Sequence, residues 1–230
     1  MVNVGKLLNA LAFVSIEKSL QNLDGQDEQS AGYHLQKLEA LRQTVQEGIR
    51  TAIAQRPIPE EMLTSSETRP YISNLNTFSA LIDRLLIENA KLLHFQREQG
   101  RHDADSIATV QRIIMCLTHE IDVILEETFA RGRYPYEREL RTYAYLDDRK
   151  DVGNVNLLDR LLQCIEELAE LCVQIGYYDR KKFELARMGS DAAQMAAAII
   201  RVRKALERRA ELKNILDTLL RRAVEEAGRV

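Results

Sequence analysis

The sequence predicts an all-α protein, a multi-helix bundle built from helical hairpins that ends in a long C-terminal helix. Its 230 residues include only 10 Gly and 4 Pro and no Trp, while Leu, Ala, Glu and Arg are abundant, a balance that favours helix over strand. Two nearly identical six-residue segments, 81–86 and 157–162, each open an apolar helical pattern. They also suggest an internal duplication, in which hairpins 79–128 and 155–223 correspond.

The first two helices are predicted from apolar residues that recur at intervals of three and four, over 4–22 and 31–55. The second must end before Pro57 and Pro59, since proline lacks a backbone donor and disfavours helix in the residue before it. We therefore expect an N-terminal hairpin, 1–64, followed by a helical bundle, 70–230. A single domain is the alternative.

Two further helices are predicted over 74–99 and 106–129, with Asp103 or Asp105 as the N-cap of the second. A charged segment rich in tyrosine follows, and a short helix over 136–146 fits part of it. Its length suits a crossover between the two related hairpins.

The last hairpin is expected to start at a cap on Asn154 or Asn156, with a helix running to about Gln174. Gly176 suggests a turn over 176–178, and a final helix of about 35 residues is predicted to begin near residue 191. Such a helix exceeds the usual three or four turns, so we expect it to mediate self-association or to meet a partner. The residues assigned to that interface are Leu212, Leu216 and Leu219.

Charge and cysteine content restrict the class of protein. A formal net charge of −3 and a pI near 5.9 argue against a surface uniformly attracted to nucleic acid or anionic lipid. No apolar run approaches the ~18 residues that a membrane span needs, so no membrane partner is expected. The three cysteines, Cys116, Cys164 and Cys172, lie in apolar helical patterns without a CxxC pair, which predicts reduced, core-packed thiols and a cytoplasmic protein.

The most specific chemical pattern is acidic. Glu166, Glu167 and Glu170 stand one and three residues apart, so two carboxylates share a helical face and could hold Mg²⁺. The pattern resembles the EExxE segment of MazG-type nucleoside triphosphate pyrophosphohydrolases, a resemblance that covers about a tenth of the chain. It implies magnesium bound with a second acidic motif, for which Asp191 is the candidate. Asp191 stands seven residues after Glu184, so the family's second motif is not matched.

Three weaker patterns are also compatible with ordinary surface roles. Residues 147–151 have the DDxxD spacing of isoprenoid synthases, but no second acidic motif follows. Arg112 and His119 resemble the Arg–His pair of helical HEPN ribonucleases, although Ile113 replaces the polar residue that often follows that arginine. A basic face that could contact phosphates is formed by Arg201, Lys204 and Arg208.

From these observations we expect a non-catalytic helical-bundle interaction or assembly protein without a cofactor, either a homo-oligomer or bound to a protein partner. One alternative is a magnesium-dependent pyrophosphohydrolase that uses the acidic pattern. The second alternative is a nucleic-acid-binding bundle that uses the basic face.

Overall fold

The protein is all-helical over the residues described by its structure, a computed structural model that covers 3–24, 28–54, 77–97, 104–131, 156–189 and 192–227. The six helices of this part are α1 (Val4–Asp24), α2 (Glu28–Ala54), α3 (Phe78–Arg97), α4 (Ala104–Arg131), α5 (Leu157–Arg187) and α6 (Ala192–Ala227). The predicted short helix over 136–146 and the predicted domain boundary at 64–70 lie outside the described residues. The division into two domains therefore stays a prediction.

Helices that follow each other in sequence pack most closely, α1 on α2, α3 on α4 and α5 on α6. Helix α1 also packs on α3, α4 and α5, so it occupies the centre of the bundle. Buried apolar side chains from all six helices form one core cluster, including Leu11, Leu85, Ile121 and Leu161. In the described residues, no helix has the length and apolar character that crossing a bilayer requires.

The two segments that suggested a duplication have partly similar surroundings, although Leu81 is buried and the corresponding Leu157 is only partly buried. Leu85 and Leu86 of α3 are fully buried, as are Leu161 and Leu162 of α5. The aspartates of both segments bind another helix: Asp83 pairs with α6, and Asp159 accepts a hydrogen bond from Gln46 of α2. These contacts agree with the duplication, which stays a prediction.

The predicted turn at 176–178 is wrong, because α5 continues without a break to Arg187. A glycine inside a helix costs about 1 kcal/mol relative to alanine, and the packing of α5 on α6 outweighs this cost. Tyr178 contributes directly, since the guanidinium carbon of Arg201 of α6 lies 5.0 Å from the centre of its ring. The turn comes later, at Gly189, whose φ of 63° suits a residue without a side chain.

The start of α5 agrees with one of the two predicted caps. The Oδ1 of Asn156 accepts a hydrogen bond from the backbone N–H of Leu158 at 3.2 Å. This satisfies one of the amide groups that have no partner inside the first helical turn.

Candidate functional site

The acidic residues predicted to bind magnesium lie in a cleft where α1, α2 and α5 meet. The cleft has a volume of about 240 Å³. One wall carries Glu166, Glu167 and Glu170 of α5, and basic groups face them from the other two helices. The basic groups are Lys18 of α1 and Arg42 of α2. The cleft therefore has mixed charge.

Glu166 is held by Arg42 in a two-pronged ion pair. The Nε of Arg42 donates to Oε1 of Glu166 at 2.5 Å, and Nη2 donates to Oε2 at 2.7 Å. The hydrogen bonds with Glu166 raise the pKa of Arg42 above its ordinary value. Both oxygens of Glu166 are thus occupied by a guanidinium, and a metal ion would have to displace it.

The other two glutamates also have partners. Glu167 accepts hydrogen bonds from Arg160 at 2.9 Å and from Arg208 of α6 at 3.1 Å. Glu170 accepts one from Gln174, also at 2.9 Å. No group of three His, Cys, Asp or Glu side chains able to hold a metal ion occurs within the described residues. Asp191, the fourth predicted ligand, lies outside them.

A second cleft, of about 460 Å³, lies between α3 and α4 and was not predicted. Its wall includes Glu88, a fully buried residue whose Oε1 pairs with Arg84 at 2.8 Å and Lys91 at 3.0 Å. In sequence, Glu88 looks like an ordinary surface residue of an amphipathic helix. A buried carboxylate needs such paired cations, because transferring an unpaired charge out of water is costly.

The predicted interface residues are in the core of the chain. Leu212, Leu216 and Leu219 are each 0% exposed and belong to the central cluster. Their assignment as contacts to a second chain is therefore corrected, because the rest of the bundle already covers this stripe of α6. Any interface on the long helix must use other residues.

The exposed apolar surface lies instead at the far end of α5 and α6. On α5 no described residue after Val173 is buried, and on α6 only Ala198 and Ala205 are buried before Leu212. We call the described residues between 174 and 211, namely 174–189 and 192–211, the arm. Its large exposed apolar side chains are Phe183 (57%), Met188 (78%), Ile199 (51%), Ile200 (53%) and Leu206 (47%).

The residues of the predicted basic face all lie on the arm, and they differ in their partners. Arg208 is paired with Glu167 and Glu211. Arg201 donates to the hydroxyl of Tyr178 at 2.5 Å and lies over its ring. Lys204 is exposed. The basic face thus keeps the positive charges of Arg201 and Lys204, whereas two glutamates partly neutralise the charge of Arg208.

Several arm cations contact aromatic rings. Besides Arg201 on Tyr178, the Nζ of Lys181 lies 5.5 Å from the ring centre of Tyr177, and that of Lys182 lies 4.9 Å from Phe183. Such contacts are attractive because the ring face is electronegative. They place positive charge beside apolar surface along the arm.

The remaining predictions concern the cysteines, Arg112 and the acidic pattern at 147–151. Cys116, predicted to pack in the core, is exposed, whereas Cys164 is buried and Cys172 is partly buried. The prediction is wrong for Cys116 because this residue points away from the face of α4 that packs on the bundle.

Arg112 is exposed and donates to the backbone oxygen of Ala108 at 3.3 Å. The acidic pattern at 147–151 lies outside the described residues.

The arm was missed by sequence reasoning because a turn was predicted within it. The sequence does contain a signal of the arm: residues 183–200 hold only three charged side chains and are flanked by two basic groups, 180–182 and 201–204.

Comparison of this chain with protein-family models, with curated proteins and with solved structures finds no match.

Proposed function

We propose that this chain is a non-catalytic interaction or assembly protein, in which the bundle is a scaffold and the arm is the docking surface. The observation that carries the proposal is the concentration of exposed apolar side chains on one projection. Five of the eight large exposed apolar residues among the described positions lie on the arm. Clustered exposed apolar side chains are costly in water and typically mark an interaction site.

The seam between α5 and α6 supports this role. Ala198, Ala205, Leu212 and Leu219 recur every seven residues and are all buried, the spacing of a helix that packs along one stripe of its neighbour. Alanine at the distal positions lets the two helices approach closely without forming a core of large side chains. The larger apolar residues of the arm then remain available to a partner.

The alternatives receive less support from the contacts. A magnesium site would have to displace Arg42 from Glu166 and two arginines from Glu167. A nucleic-acid site would use Arg201 and Lys204 but would leave the aliphatic residues of the arm without a role.

The proposal is tested by measuring whether the arm is covered in the cell. Single cysteines are introduced by Ile199→Cys on the arm and by Met115→Cys on α4, where the native side chain is 69% exposed. Both are made in a Cys116→Ser background. Maleimide labelling is compared between permeabilised cells and the purified protein.

We expect position 199 to label at least fivefold more slowly in cells, with position 115 unchanged. Equal labelling of position 199 in both settings would contradict the proposal. Light scattering of the purified protein then separates self-assembly from binding of another partner, since only self-assembly gives a mass above 26.4 kDa per particle.

A further inference from the structure

The distribution of charge on the arm defines its partner more closely. Between residues 176 and 206 the sequence has seven basic and three acidic residues, a net charge of +4 in a chain whose overall charge is −3. The remainder of the chain therefore carries −7. The negative net charge of the whole chain argues against anionic partners, but the arm by itself is positively charged.

The positive residues lie on neighbouring turns of the two helices. Arg180, Lys181 and Lys182 stand on α5, and Arg201, Arg203 and Lys204 stand on α6. The contact between Tyr178 and Arg201 places the α6 group beside the turn of α5 that comes just before the α5 group. We call these six residues the collar.

Between the two basic groups the sequence has few charged residues. Residues 183–200 contain Glu184, Arg187 and Asp191 as their only charged side chains, and many of the others are alanine. We call the described residues of this segment, 183–189 and 192–200, the tip. Met188, beside the turn, is its most exposed large apolar residue.

From this juxtaposition of cationic collar and apolar tip, we propose that the arm docks on an anionic lipid surface, with the tip among the lipid headgroups and the collar beside their phosphates. This inference rests on the proposed function, in which the arm is the docking surface. It concerns contact with one face of a membrane and involves no span. It departs from the expectation of no membrane partner, which rested on the lack of a long apolar run and on the charge of the whole chain.

The dimensions fit. Six residues separate Lys182 from Met188, which corresponds to about 9 Å along a helix. The headgroup layer on each face of a bilayer is roughly 5–8 Å thick, so Met188 can reach its inner boundary while Lys182 stays at its outer edge. Lysine and arginine near an anionic leaflet each add to the binding energy through their charge.

Other occupants fit less well. Two arms of separate copies would bring two charges of +4 together, which opposes direct pairing of arms. Nucleic acid would use the collar but offers little apolar surface for Met188, Ile199 and Ile200. A folded protein partner would need a broad contact of about 800 Å² on each side, whereas the tip is a narrow projection.

The test uses the full-length chain with sedimented vesicles of phosphatidylcholine alone or with 30% phosphatidylserine. We expect at least tenfold stronger binding to the anionic vesicles, reduced when the salt concentration is raised from 0.1 to 0.5 M. The collar variant carries Lys181→Glu and Lys204→Glu. Its matched control carries Arg50→Glu and Arg112→Glu, which change the net charge equally on the exposed faces of α2 and α4. The collar variant should lose at least tenfold in binding, and the control should retain most of it.

The tip is tested with Met188→Trp, because the chain has no tryptophan of its own. Its fluorescence should shift to shorter wavelength when anionic vesicles are added, and that of Met115→Trp should not. The proposal would be overturned by unchanged emission at position 188, or by an equal loss of binding in the collar variant and its control. It would also be overturned if the chain bound single-stranded DNA but not vesicles. If position 199 is protected in cells and the vesicles do not bind, the proposed function stands and only the lipid inference fails.

Discussion

Asp217 of α6 caps the N-terminus of α3 by binding Ser79, a residue 138 positions earlier in the chain. Its Oδ1 accepts the backbone N–H of Ser79 at 2.9 Å, and its Oδ2 accepts the hydroxyl at 2.6 Å. Asp122 of α4 does the same for α1, where its Oδ1 accepts the N–H of Gly5 at 2.6 Å. In both cases the capped amide belongs to the second residue of its helix. The two aspartates thus add, from another helix, to the local caps Thr77 and Asn3, which accept the N–H groups of Ala80 and Lys6.

Removing the Asp217 carboxylate should destabilise the fold. Asp217→Ala leaves the backbone N–H of Ser79 without its acceptor, and we expect a loss of about 1–2 kcal/mol in the free energy of unfolding, as for other lost caps. Urea denaturation followed by circular dichroism measures it. The control is Asp179→Ala, whose carboxylate pairs with Lys182 on the exposed arm and should change stability by under about 0.5 kcal/mol. Equal effects of the two substitutions would show that the Ser79 contact contributes nothing.

Gly5 is required by a close approach of helices rather than by its backbone angles. A Cβ at this position would lie 2.3 Å from the backbone oxygen of Thr118 and 2.9 Å from Oδ2 of Asp122. Gly5→Ala should therefore cost about 1–3 kcal/mol, as overpacking does. At Gly176 a Cβ would meet nothing within 4 Å, so Gly176→Ala should instead stabilise the protein by about 0.5–1 kcal/mol. Thermal unfolding of both variants checks the opposite signs.

The three cysteines should differ in reactivity. Burial raises the pKa of Cys164 to about 11 and that of Cys172 to about 11, whereas Cys116 is exposed. At pH 8 we expect one fast-reacting thiol per native chain in an Ellman titration and three after denaturation, because the thiolate is the nucleophile. Rapid reaction of all three native thiols would contradict the burial.

The same pKa shifts predict a loss of stability at alkaline pH. Since the folded thiols bind their protons more tightly than the unfolded ones, the unfolded state is favoured as pH rises above the ordinary value of 9.0 and until it passes about 11. Cys164→Ala and Cys172→Ala together should make the unfolding free energy less dependent on pH in this range. Unchanged dependence in the double variant would contradict the assignment to these thiols.

The acidic cleft should not hydrolyse nucleotides. Because arginines occupy the oxygens of Glu166 and Glu167, we expect no magnesium-dependent release of pyrophosphate from a panel of nucleoside triphosphates. Release that is abolished by Glu167→Gln but retained in Glu47→Gln, a change at an exposed position on α2, would establish the pyrophosphohydrolase alternative instead.

The periodic apolar positions determined much of the fold by themselves. The spacing of residues such as Leu81, Leu85, Leu161 and Leu216 predicted helices with one buried stripe, and all four are buried. The prediction succeeds because an α-helix has 3.6 residues per turn. Residues on its buried face therefore recur at intervals of three and four in the sequence. The cap at Asn156 could also be predicted from the sequence, because Asn156 binds an amide of its own helix.

What only the tertiary structure decided is which groups meet across the bundle. Arg42 and Glu166 are 124 residues apart, and Ser79 and Asp217 are 138 apart, so no local spacing joins them. The same holds for Gly176, where local propensity predicted a turn and packing on α6 maintained a helix. The leucines assigned to an interface show the limit most clearly: an apolar stripe must be covered, but its pattern does not say whether the cover comes from its own chain or from another. Packing within the chain covers Leu212, Leu216 and Leu219, and it leaves Met188, Ile199 and Ile200 of the tip exposed.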